Sequence, residues 1–204
     1  MNMCRRDFVL GSAALAAADA LAVSSVGESP SGGLAGVSPD EFAKDDEFRL
    51  FENDWGLVCA GKRGNFNMLT VSCGTLGSVW GRKVATIYIH PARYTHEYLE
   101  REDRFTISFF GGEWKDALML CGTKSGRDTD KCAATGLKGV ELASGAIAFG
   151  QARWILDCRK IFKAPLAAAQ FTDRRLFDSW YGPGADVIHD VYIGEIEAVY
   201  GRRV

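Results

Sequence analysis

A mainly β domain, a closed barrel carrying a few short helices, is the fold class the sequence predicts. Three observations predict it. Runs in which apolar and polar residues alternate with a period of two recur about six times, as half-buried strands require because successive side chains point to opposite faces. Stretches with helical periodicity are short and lie between those runs. The chain has 204 residues, 47% hydrophobic and 25% charged, enough to bury one core without splitting into several domains. No internal repeat is visible.

The first 22 residues read as an address. Arg5-Arg6-Asp7-Phe8 precedes a short alanine-rich stretch, and Ala20-Leu21-Ala22 offers the small-x-small pattern of a cleavage site,. This resembles a twin-arginine export signal, with Cys4 where a Ser or Thr is usual. The plainer alternative is an amphipathic helix packed on the domain. Residues 23–40, rich in Ser, Gly and Pro, read as a flexible linker,, and residues 41–204 as the domain. The twin-arginine route carries folded proteins, so it favours a cofactor loaded before export to the periplasm or cell surface.

Within the domain, strands are expected around 56–60, over 66–73, 84–89 and 105–110, from Ala152 to Phe162, and from Tyr192 to Tyr200. In the fifth, Trp154, Leu156 and Cys158 oppose Arg153, Asp157 and Arg159. Short helices are expected from Thr95, as its cap, through Leu99, over 114–120, and over 129–135 with Gly136 as its stop. A longer helix is expected over 167–180.

Composition excludes several function classes. Lys and Arg number 24 against 26 Asp and Glu, a net charge of −2, so no broad cationic field draws in nucleic acid. No apolar run reaches the roughly 18 residues of a membrane-spanning helix. Beyond the signal, the cysteines are Cys59, Cys73, Cys121, Cys132 and Cys158. An odd set with no C-x-x-C spacing argues against a zinc ribbon or a disulfide scaffold, and no metal site is expected. Phosphate-loop, zinc-helix, nucleophile-elbow and dinucleotide-fold motifs are all missing.

Three segments carry polar chemistry. Asn67 to Gly77 is a polar-faced strand running into a glycine-bearing turn. His90-Pro91-Ala92-Arg93-Tyr94-Thr95 ends a strand and starts a helix, and Ser125-Gly126-Arg127-Asp128-Thr129-Asp130-Lys131 is a polar loop opening another. In the last two an Arg, a hydroxyl and backbone N–H groups converge at a helix start, a combination suited to an anion such as phosphate. The plainer reading has Thr95 and Ser125 as caps and Arg93 and Arg127 facing water.

These segments together, with Asp103 to Phe109, Cys121-Gly122 ahead of the polar loop, and His189 to Ile196, occur in an order that resembles the flavin-reductase-like, FMN-binding split-barrel proteins of the flavoredoxin type. The resemblance implies a six-stranded antiparallel Greek-key split β-barrel, non-covalent FMN, and a homodimer with flavin near the subunit interface. It implies that Asn67, Thr70, Ser72, Cys73 and Gly74 line the isoalloxazine edge and that Arg93 and Thr95 hold the phosphate. Ser125, Gly126, Arg127 and Lys131 would close over phosphate or ribityl chain, with Asp130 orienting Arg127. His189 would sit near nicotinamide and flavin as the catalytic candidate; a hydrogen-bonded structural histidine is the alternative. His90 stands where the family usually has Arg, and Cys73 where it usually has Trp.

The expected function is an FMN-dependent oxidoreductase passing electrons from NAD(P)H, or from a protein or quinone donor, to a small-molecule or metal-ion acceptor. The alternative is a non-enzymatic FMN-carrying electron shuttle or a ligand-binding split barrel.

Overall fold

The computed structural model describes residues 34–37 and 49–202. The signal at 1–22 and most of the 23–40 segment lie outside the described residues. The strands are β1 (Leu34–Val37), β2 (Gly56–Lys62), β3 (Asn65–Val71), β4 (Gly74–Val79), β5 (Arg82–Ile89), β6 (Arg104–Phe109), β7 (Gly139–Glu141), β8 (Ile147–Phe149), β9 (Trp154–Pro165) and β10 (Asp190–Arg202). The α-helices are α1 (Tyr94–Arg101), α2 (Lys115–Thr123), α3 (Lys131–Thr135) and α4 (Arg174–Tyr181).

One antiparallel sheet runs β3-β2-β6-β9-β10-β5-β4, with β1 added to β10. Its two ends, β3 and β4, are consecutive in the chain and joined only by Ser72 and Cys73, with no ladder between them. The barrel is split there. β10 pairs with β9 along most of its length, with β5 over Asp190–Glu195 and with β1 over its last four paired residues.

Both faces of β2 are covered, which explains the unbroken apolar run from Gly56 to Ala60,. Val58 and Ala60 join the barrel interior with Leu69, Ile87, Phe105, Ile107, Phe109, Leu156 and Tyr192. Leu57 and Cys59 face a second cluster with Met68, Leu118, Cys121 and Phe149, roofed by α2 and the β7–β8 hairpin.

All six expected strands form, and the departures have physical causes. β4 escapes the alternation rule because it carries two glycines; pairing with β5 forms it, through a Trp80–Gly81 turn with positive φ at both residues (53° and 71°),. Leu34–Val37, read as linker, is instead a strand completing the free edge of β10,. The 167–180 helix is broken: a 3₁₀ turn covers Ala168–Gln170, and Asp173 caps a separate α4 through the N–H groups of Arg175 and Leu176,. Asp157, on the strand face opposite Trp154, Leu156 and Cys158, is only 2% exposed and faces Arg104. Gly136 stops α3 in the left-handed region, as expected,.

A polar network pins α1 to β9 and β10. His96 Nε2 meets Asp190 Oδ2 at 2.8 Å, Lys163 Nζ meets Asp190 and Glu100 at 3.1 and 2.8 Å, and the Tyr192 hydroxyl donates to Glu100 at 2.6 Å. His96, Glu100 and Asp190 offer ligand atoms within 4.8 Å of one another, but the Lys163 ammonium already supplies their cation. Burial alone would push the Asp190 carboxyl up; hydrogen bonds from His96 and Lys163 outweigh it and hold it below its ordinary range,. Glu100 is lowered in the same way, with Lys163 and Tyr192 outweighing burial.

Candidate functional site

Three chain segments meet at a small open cleft of about 90 Å³. β3 contributes Asn67 and Leu69; the turn into α1 contributes Ala92, Arg93, Tyr94 and Thr95; the α2–α3 connection contributes Thr123, Lys124, Ser125, Gly126 and Lys131. No lining residue is acidic and three are cationic.

Lys131 is 5% exposed, yet no carboxylate among the described residues pairs with it. Its ammonium donates to the carbonyls of Met68 (2.7 Å) and Cys121 (2.9 Å), tying β3 to the end of α2. That uses two of three donors and leaves the charge uncompensated. Burial lowers its pKa and Arg93 adds to that. Arg93 donates to the Gly122 carbonyl and also has no carboxylate partner among the described residues. A buried cation is costly without an opposite charge, so buried Lys131 beside half-buried Arg93 gives this acid-free cleft the chemistry to attract an anion.

The walls are held by short-range packing. Asn67 Nδ2 donates to Thr95 Oγ1 at 2.9 Å. Gly126 lies so close to the Asn67 amide that a Cβ there would fall 2.1 Å from Asn67 Oδ1; only glycine lets the loop approach this wall. Arg93 rather than Thr95 is the N-cap of α1, and no side chain caps that helix start. Thr95 lies inside the first turn with its hydroxyl accepting from Asn67.

The expected residues therefore divide. Asn67, Arg93, Thr95, Ser125, Gly126 and Lys131 line the cleft. Thr70 lies outside it, its hydroxyl bonded to the Leu118 carbonyl at 2.6 Å. Ser72 and Cys73 are exposed at the split between β3 and β4, and Gly74 backs onto the Phe51 ring. Arg127 is drawn aside: it pairs with Glu97 and stacks over Tyr94 at 4.5 Å,. Asp130 does not orient Arg127; its carboxylate caps α3 through the Ala133 N–H at 3.0 Å. The anion attraction expected at that helix start is thus already met by Asp130, and the segment's contribution to the cleft is Lys131. Sequence reasoning missed Leu69, Ala92, Tyr94, Thr123 and Lys124 as lining residues; Leu69, Ala92 and Tyr94 sit within segments it had marked.

His189 stands just beyond this cleft. Its Nδ1 meets the Tyr181 hydroxyl at 3.0 Å, and its ring packs edge-to-face on His90 with centroids 5.6 Å apart. Burial depresses its pKa, with His90 and Arg93 adding to the effect, so the ring is neutral at neutral pH. Burial raises the Tyr181 phenol, with Cys73 and Tyr88 contributing.

Residues 48–203 match the model of the flavin reductase like domain, and the chain belongs to that family. Solved structures share the fold. An FMN-binding protein from Thermus thermophilus, seen with p-hydroxybenzaldehyde, is 21% identical over 73% of this chain and 71% of its own, with a TM-score of 0.57. Flavoredoxin from Methanosarcina acetivorans is 17% identical over 74% and 69%, TM-score 0.57. An NADH:FAD oxidoreductase from Streptomyces globisporus, in complex with NAD and FAD fragments, is 16% identical over 72% and 73%, TM-score 0.52. No curated protein matches the chain.

Proposed function

We propose that this chain binds FMN through its phosphate in the Arg93–Lys131 cleft and passes electrons through it. The observation that carries this reading is a pair of cations, one almost fully buried, facing an acid-free cleft in a flavin-reductase-like fold. A terminal phosphate monoester, carrying close to two negative charges at neutral pH, matches two uncompensated cations better than the singly charged diester oxygens of FAD. Arg93 and Lys131 would take the phosphoryl oxygens, Ser125 would add a hydroxyl, and Gly126 lets that loop close on Asn67. Asn67 and Thr95, bonded to each other, form the wall toward the barrel.

When bound, the flavin supplies hydride acceptance and release of electrons singly or in pairs. The protein's tasks are then to hold the phosphate, shield one ring face and offer neutral donors at the other. His189, kept neutral and oriented by Tyr181, serves as such a donor. NAD(P)H, a carrier protein or a quinone are the proposed electron partners, and export by the twin-arginine route favours the last two. In the shuttle reading, favoured by the exposed Cys73 at the barrel split, flavin binds without substrate turnover. We propose a homodimer, supported by the exposed Trp80 and Phe162, whose rings lie 6.0 Å apart,.

The test is an anaerobic NADH titration of protein reconstituted with FMN. Bleaching of the flavin band supports a reductase. Bound flavin that NADH leaves oxidised supports the shuttle, and failure to bind FMN at all overturns the reading.

A further inference from the structure

We propose that Glu97, an acid outside the anion cleft, is a positioning residue for it: by holding Arg127 it keeps the loop wall at Ser125 and Gly126 closed on the phosphate. The inference rests on the phosphate reading above and adds a residue that does not line the cleft.

Two of the cleft's three walls are fixed by regular structure. β3 carries Asn67 within the sheet, and the start of α1 carries Tyr94 and Thr95. The third wall, residues 124–130 between α2 and α3, is neither helix nor strand. Its hydrogen bonds stay local. The N–H groups of Arg127 and Asp128 each reach Ser125 at 3.2 Å, the Lys124 N–H donates to the Leu120 carbonyl at 2.9 Å, and Asp130 caps α3. Among the described residues, one polar tie joins this loop to α1: the pairing of the Arg127 guanidinium with the Glu97 carboxylate.

That tie acts where the cleft is lined. Arg127 follows Gly126 in the chain and lies over the ring of Tyr94 at 4.5 Å, and Gly126 and Tyr94 are both lining residues. Tyr94 and Glu97 are three positions apart and share a helix face, so one guanidinium engages both. The Tyr94 ring stands on fixed ground. It meets the buried Tyr98 ring edge-on at 5.3 Å, and the Tyr98 hydroxyl bonds Asn65 Oδ1 of β3 at 3.0 Å. Holding Arg127 against α1 therefore holds its neighbour Gly126 against Asn67, at a contact too close for any Cβ.

Charge alone predicts the opposite role. An acid near an anion site repels the anion, so neutralising Glu97 would tighten phosphate binding. If Glu97 works by holding Arg127, neutralising it loosens the wall and speeds release. The sign of the effect separates the two. Its size is modest, because both side chains are about half-exposed and a surface ion pair is worth at most about fivefold in an equilibrium constant.

The test is stopped-flow fluorescence with FMN on the full chain. Glu97→Gln should release FMN about threefold faster, with association little changed and with riboflavin affinity unaltered, since riboflavin lacks the phosphate. In an Arg127→Ala background the same substitution should no longer speed release. Arginine side-chain ¹⁵N NMR of the protein without flavin should show the Arg127 guanidinium rotating slowly in the parent and freely in Glu97→Gln. Slower or unchanged FMN release in Glu97→Gln, or equal acceleration with and without Arg127, would overturn the proposal. So would an Arg127 guanidinium equally free in both proteins. Protein that binds no FMN, yet frees Arg127 on Glu97→Gln, would sink the flavin reading and leave the loop tie standing.

Discussion

Lys131 poses the sharpest question in the molecule, because a lysine this buried ordinarily has a carboxylate beside it. Here its partners are two carbonyls, so its role is double: it braces β3 against α2 and lends charge to the cleft. Lys131→Met should therefore lower the melting temperature as well as weaken FMN. Leaving the Met68 and Cys121 carbonyls unsatisfied costs about 1–3 kcal/mol, read by thermal or urea unfolding. Arg93 holds only one carbonyl, so Arg93→Ala should spare stability and weaken FMN about ten- to hundredfold, the worth of a charged hydrogen bond; fluorescence quenching titration measures it. Gly126→Ala should push the loop off Asn67 and reduce FMN affinity at least tenfold without touching any charge. Sequence motifs marked all three residues. They could not show that Arg127 is engaged by Glu97, because that pairing spans 30 positions and depends on how the loop folds over α1. Arg127→Ala should accordingly cost less FMN affinity than Arg93→Ala in the same titration.

Elements were legible where alternation was strong and opaque where pairing created the structure. β5, β6 and β10 announce themselves by β-branched and aromatic residues, whereas β4 and β1 are strands only because a neighbour offers a free edge. The helix α1 matters most for function, since it carries Arg93 and Thr95 into the cleft and is anchored behind by the His96–Asp190–Lys163–Glu100 network. Both carboxyls there are held below their ordinary values. Each such group adds stability that is complete above the unfolded-state pKa and lost as pH falls through the folded value. Melting temperature should thus hold steady down to about pH 5 and decline below about pH 4. Asp190→Asn should be less stable at neutral pH and show a shallower acid decline, measured by circular dichroism across that range; an identical acid slope would remove the network from the account.

At the scale of the whole molecule, the barrel keeps its two ends distinct. β1 sits on the last residues of β10, while Asp190, His189 and the turn into α1 lie at its start. Deleting residues 1–38 should lower the melting temperature by a few degrees through the exposed β10 edge and leave FMN affinity unchanged. The fold class was readable because a split barrel repeats one rule, alternation, across many strands. The cleft was readable only in part, because it is assembled from β3, α1 and the α2–α3 loop, and its lack of acids is a property of tertiary placement. The most direct test of the central claim is a paired titration of the protein with FMN and with riboflavin, which differ only in the phosphate. If Arg93 and Lys131 grip that group, FMN binds at least a hundredfold more tightly, and the preference shrinks about ten- to hundredfold in Arg93→Ala. Equal affinity for the two flavins in the unaltered protein would contradict the account.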